Sequence, residues 1–240
     1  GSAAFNAVIV TFVFNKYLVH VVGKDLPGRV SASSLLGFSL GIAGLFIALL
    51  APSMGKRSDA RGRRKRSLFV LTFAIVLVTA AMFFVKPEYN YLWLGLLLVS
   101  LGSVLFELSQ VPYFSMLRQV STPDQVGRVS GLGWALGYVG GIVLLLLCVF
   151  GFVQGTGDTR GLLGITTDES LNIRAITLLA AAWFGVFALP LFLFVPEIPA
   201  TISDDSPKTS FLDSYRELWV ELKDMWAHDR NTLKFLIASA

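Results

Sequence analysis

The sequence is poor in charge, in cysteine and in histidine. Asp, Glu, Lys and Arg supply only 15% of its 240 residues, whereas a soluble fold needs about 25% to cover its surface. A single cysteine, Cys148, excludes an internal disulfide and leaves the redox compartment unread. The two histidines, His20 and His228, stand far apart, and no His, Cys or carboxylate spacing suits a metal. An enzyme is therefore not expected, nor a cofactor or metal centre. What is abundant is apolar: 54% hydrophobic residues, with 19 Phe and 22 Gly, and a mean hydropathy of +0.67. Glycine is more frequent in membrane helices than in soluble ones.

The apolar residues gather into runs. A helix needs about 20 of them to cross a hydrocarbon core roughly 30 Å thick. Six runs qualify: 5–22, 35–54, 68–85, 91–116, 131–153 and 173–195. Each is apolar all round, which indicates burial on every side. None alternates with the two-residue period of a membrane barrel strand. The reading is an all-α polytopic membrane protein, integral and multi-pass, with lipid as its first partner.

Lys and Arg set the orientation. Between the second and third runs stand Lys56, Arg57, Arg61, Arg63, Arg64, Lys65 and Arg66; Arg118 and Arg128 follow on the same side. The opposite side holds Lys24, Arg29, Lys86 and Arg160, with Arg174 at a helix start. The 55–66 side is expected to be cytosolic. A basic run also suits nucleic acid, but wedged between two spans it reads as a topology signal, and no nucleic-acid partner is expected.

Three parts are expected along the chain: a six-span bundle over 1–195, a cytosolic connector over 196–231, and the start of a seventh span over 232–240. The connector carries Phe211, Leu212, Tyr215, Leu218, Trp219, Leu222, Met225 and Trp226 at helical spacing. It fits a helix packed on the bundle as well as one lying in the interface. The chain starts without methionine and stops inside an apolar run. It is expected to be a piece of a longer protein.

Few residues carry candidate chemistry. Gly37-Phe38-Ser39-Leu40-Gly41 matches a nucleophile elbow, but it lies inside a span, where small residues serve helix packing. Gly133, Gly137 and Gly141 stack along the fifth span with Gly140 beside them, a surface for helix contact or bending. Trp134 and Tyr138 flank it. Glu107 is a carboxylate within a span, and such groups point by default to function. Ser100, Ser103, Glu107 and Gln110 fall within about 80° of one another on a helix. That polar stripe should face a water-filled cavity or a partner helix, serving protons or substrate in the first case and packing alone in the second. Lys16 either snorkels to the interface or faces the same cavity with Asn15 and Thr11.

The stretch Gly55-Lys56-Arg57-Ser58-Asp59-Ala60-Arg61-Gly62-Arg63-Arg64-Lys65 resembles the signature of the major facilitator superfamily, G-x-x-x-D-R-x-G-R-[RK]-[RK]. It departs at Ala60, where the family usually has arginine. Pro123-Asp124-Gln125-Val126-Gly127-Arg128 resembles the related loop before the fifth span. The stretches 2–14 and 127–138 are similar to the vacuole-effluxer-like permeases of that superfamily. The fourth span lacks the arginine-bearing motif of many proton antiporters, and Gly137-Tyr138-Val139-Gly140-Gly141 lacks the proline of the antiporter motif. Both departures argue against antiport.

The resemblance implies a fold of two six-helix halves with a small solute held between them, this chain being the N-terminal half. It makes the missing C-terminal half a partner. Gly55, Asp59, Gly62, Arg63, Arg64, Lys65 and Arg128 would form a gating motif, in which Asp59 caps a helix of the other half and the cations hold anionic headgroups. The solute implied is an amino acid or related metabolite, and the membrane a bacterial inner one, with a vacuolar membrane as the alternative. A non-transporting six-span scaffold or receptor-like module is the competing reading.

Overall fold

The computed structural model describes residues 12–60, 64–120, 122, 124–196, 215–216, 219–220, 223–224 and 226, with backbone alone at 52–53, 55–60 and 117–120. Six helical segments follow the six apolar runs. The first, α1, is described from Phe14 to Tyr17 and widens into a π-helical turn at Leu18–Val22. Next come α2 (Ala32–Ala60), α3 (Arg64–Ala81), α4 (Leu92–Val120), α5 (Val126–Cys148) and α6 (Leu171–Phe194). Five of these are long and apolar enough to cross a membrane. The chain is an integral, multi-pass membrane protein.

Local chemistry explains where the helices stop. Ser31 starts α2: its Oγ accepts the Ser34 amide at 3.2 Å, satisfying a donor that the first helical turn cannot. At its other end α2 runs on through Ala60, past the apolar limit at 54. The sequence treats 55–60 as loop because hydropathy falls there. Lys, Arg and Ala nevertheless favour a helix, so the backbone continues. The first half of the signature stretch is therefore helical.

A second departure lies between α5 and α6. Two short strands, β1 (Thr159–Arg160) and β2 (Ile165–Thr166), pair antiparallel with Thr159 opposite Thr166 and Arg160 opposite Ile165. Each strand has only two residues, so this is a surface hairpin and not a barrel strand. Gly161 and Gly164 turn it, at φ +68° and +59°, where residues with a Cβ are disfavoured.

The bundle is built around α4, which packs on α2 and α3, while α6 packs on α3. In α3 the buried positions are Leu68, Thr72, Ile75 and Thr79, the repeat of one helix face. The threonine hydroxyl at 79 donates to the Ile75 carbonyl at 2.7 Å, so its burial leaves no unmet donor. Where α1 meets α4, Leu18 rests on Gly95 so closely that a Cβ there would fall on the leucine Cδ1. Lipid tails are as apolar as leucine, so close packing of this kind, rather than escape from water, holds membrane helices together. By contrast α5 presents Leu132, Trp134, Leu136, Tyr138, Val139 and Ile142 outward.

One polar node ties the hairpin end together. Arg174 is the one buried charged residue among those described. Its Nε donates to the Phe83 carbonyl at 2.7 Å, and its guanidinium lies 4.9 Å from the centroid of the Phe83 ring. Nη1 is 3.5 Å from Glu169, which also pairs with Lys86 at 3.1 Å. Nearby, Tyr17 donates to the Val85 carbonyl at 2.9 Å and Asn172 to the Phe152 carbonyl at 3.1 Å. The ends of α1, α3, α5 and α6 are joined by these bonds.

Candidate functional site

The polar stripe of α4 exists, and the structure divides it. Ser100, Ser103 and Gln110 are half-buried, whereas Glu107 is exposed on the bundle surface. Among the described residues no partner helix covers Glu107, and its side chain is open to the outside of the bundle. Its neighbours explain why: Phe106, Leu108 and Ser109 take the bundle-facing positions, and the turn carries residue 107 to the open side.

Two atoms of the stripe stand out. Ser100 Oγ and Ser103 Oγ are buried and make no hydrogen bond among the described residues, and Asn15 Oδ1 on α1 shares that condition. Helical serines commonly return their proton to the backbone, as Ser109 does to the Phe106 carbonyl at 2.6 Å. Leaving a buried polar atom unpaired costs about 1–3 kcal/mol, and such atoms are few in native structures. Asn15 precedes Leu18 by three residues, and Ser100 and Ser103 follow Gly95 by five and eight, which sets them roughly 4 to 12 Å along their helices from the Leu18–Gly95 contact. Lys16 is exposed beside Asn15, while Thr11 lies outside the described residues. Glu107 and Lys16 make no ion pair with each other.

The signature stretch is placed only in part. Gly55 and Asp59 lie in the last turns of α2, and Gly62 and Arg63 fall outside the described residues. Arg64 and Lys65 are half-buried in the first turn of α3, and Arg128 is exposed in the first turn of α5. Neither of those first turns holds an acidic residue. Cations at a helix N-terminus oppose the helix dipole by about 0.3–1 kcal/mol each.

The glycine surfaces behave differently along the bundle. Gly133 faces the Tyr113 hydroxyl, 3.8 Å from where a Cβ would stand, and Gly141 is buried. Gly140 meets open space, as do Gly37, Gly41 and Gly44 on α2. The elbow-like stretch 37–41 is thus continuous helix, without the strand and turn that a nucleophile elbow requires. Trp134 and Tyr138 are exposed, their ring centroids 6.0 Å apart.

Sequence reasoning missed the Arg174 node, counting that arginine only as a topology charge. A lone arginine at the head of an apolar run is ambiguous until the Phe83 carbonyl and Glu169 are found beside it. In the connector, Tyr215 donates to the Leu49 carbonyl of α2, so the connector touches the bundle at that residue. Residues 232–240, read as a seventh span, lie outside the described residues.

Comparison with known proteins gives three findings. The model of the Major Facilitator Superfamily matches residues 1–145. That of the "Vacuole effluxer Atg22 like" family matches residues 118–239. Among curated proteins, the "Uncharacterized MFS-type transporter YxiO" of Bacillus subtilis (strain 168) is 25% identical over 196 residues, covering 81% of this chain. The chain spans 44% of that relative's length. No solved structure matches.

Proposed function

Because the chain belongs to the major facilitator superfamily, within its vacuole-effluxer-like branch, we propose that it forms one half of a secondary transporter. A small solute would be held between this half and a second six-helix half, and the two would rock to expose it to each side in turn. The observation that carries this reading is that Asn15 Oδ1 on α1 and Ser100 Oγ and Ser103 Oγ on α4 are buried without a hydrogen-bond partner among the described residues. Lipid supplies no hydrogen bonds, so polar atoms retained at that depth need a polar ligand or water.

Other features support the same reading. Glu107 on the open side of α4 would face the second half, where a carboxylate can take up and release a proton. The open glycine faces of α2 and α5 allow helices of that half to approach closely. Asp59 and the cations of the signature stretch would act at the basic end as a gate, engaging helix ends of the second half and anionic headgroups. That end would face the cytosol, since Lys and Arg gather there, and the Bacillus relative supports a bacterial membrane. The effluxer resemblance points to an amino acid or related metabolite as the solute.

The test is uptake by the full-length protein in vesicles, screened across small metabolites with and without an imposed pH gradient. A solute whose uptake saturates, and which Asn15→Ala slows, supports the proposal. If no solute is moved, or if Asn15→Ala and Ser100→Ala leave uptake of every one unchanged, the site is misplaced.

A further inference from the structure

The link between α5 and α6 is more ordered than a loop needs to be. After Cys148 the helix widens into a π-helical turn, Val149–Val153, whose carbonyls run out of helical donors. The hairpin turn supplies them. The Leu162 amide donates to the Phe150 carbonyl at 2.8 Å, Leu163 to Gly151 at 3.3 Å, and Gly161 to Gln154 at 2.6 Å. Residue 161 has to be glycine, because a Cβ there would fall on the Gly151 carbonyl.

This pinning presents two leucines outward. Leu162 is 89% exposed and Leu163 63% exposed, at the tip of a hairpin beside a membrane-spanning helix. Behind them lies a cavity of about 460 Å³, lined by Val143, Leu146, Leu147, Phe150 and Leu179 together with the two leucines. No polar or charged side chain lines it. Val143, Leu146, Leu147 and Phe150 are themselves exposed, so the cavity is continuous with the outer surface of α5. Arg160, one residue before the turn, donates to the Gly155 carbonyl and so is drawn back from the tip toward the start of the link.

We propose that this hairpin dips its Leu162–Leu163 tip into the membrane leaflet at its end of the bundle, and that the cavity behind the tip holds one acyl chain of a phospholipid. Water is a poor occupant of a wall made wholly of carbon, because it finds no hydrogen-bond partner there. A hydrocarbon chain from the surrounding leaflet meets the wall without that cost. Arg160 then stands at the depth of the lipid phosphate, where a cation is favoured. The inference rests on the chain's membrane location and is independent of what is transported.

The full-length protein bearing Leu162→Trp or Leu163→Trp tests it after reconstitution in phosphatidylcholine vesicles. The added emission, read as the difference from the parent protein, should be blue-shifted. Phosphatidylcholine brominated near the headgroup end of one chain should remove most of it, and aqueous iodide should leave it intact. Emission at the water-exposed wavelength and quenched by iodide would overturn the proposal. So would blue-shifted emission that brominated lipid leaves unchanged, since the second half of the protein would then cover the tip. A third variant, Val143→Trp, fills the cavity and should abolish a phospholipid adduct retained in native mass spectrometry. Equal retention in a folded variant contradicts the acyl-chain site, and if that variant fails to fold the two reporters still decide.

Discussion

Asn15, Ser100 and Ser103 carry the proposal at the residue scale, because their buried oxygens have no hydrogen-bond partner among the described residues. If Ser103 served packing, its removal would cost a hydrogen bond, about 0.5–1.5 kcal/mol. An unpaired hydroxyl instead imposes a desolvation cost that the alanine variant escapes. Ser103→Ala should therefore melt at the parent temperature or slightly above it, while its KM for the solute rises; a lowered melting temperature with unchanged KM would mark a structural serine. The Arg174 node is the opposite case, since each of its parts is paired. Arg174→Ala should destabilise the protein by about 2–4 kcal/mol, because the Phe83 carbonyl loses its donor and the buried guanidinium's packing on the Phe83 ring is lost, while Glu169 keeps Lys86. Glu169→Gln should cost under about 1 kcal/mol, as that carboxylate is more than half exposed. Thermal melting in detergent compares the two, and equal losses would contradict the assignment.

At the scale of elements, the crossing of α1 over α4 depends on Gly95. A valine there would collide with Leu18 and push the helices apart. Gly95→Val should lower the melting temperature and weaken solute binding together, since Asn15 and Ser100 flank the same crossing. Adding Leu18→Ala should recover part of both. An additive double variant, with no recovery, would show that the two side chains do not compete for that space. Elements also show what hydropathy could reveal. The six runs were legible because every side of a membrane helix must be apolar. The reach of α2 to Ala60 was not, because charge ends a hydropathic run without ending a helix. Nor was the hairpin, whose register depends on backbone donors at 161–163 meeting carbonyls of the α5 terminus. Such pairing leaves no mark on periodicity.

At the scale of the whole bundle, α3 packs on both α4 and α6, while Glu107, the bare glycines of α2 and the aromatics of α5 stay uncovered among the described residues. The stripe on α4 was legible in the spacing of Ser100, Ser103, Glu107 and Gln110, but its division was not. Helical spacing fixes which residues share a face, while the neighbouring helices decide how deeply each is covered. The serines fell at the covered edge and Glu107 at the exposed one; in the proposed reading that exposed carboxylate meets the second half. Proton-coupled uptake in vesicles holding the full-length protein and its Glu107→Gln variant tests this most directly. The account predicts that an imposed pH gradient accelerates uptake by the parent protein, and that the variant exchanges solute but ignores the gradient. A variant with the parent's rate and the parent's response to pH would contradict it.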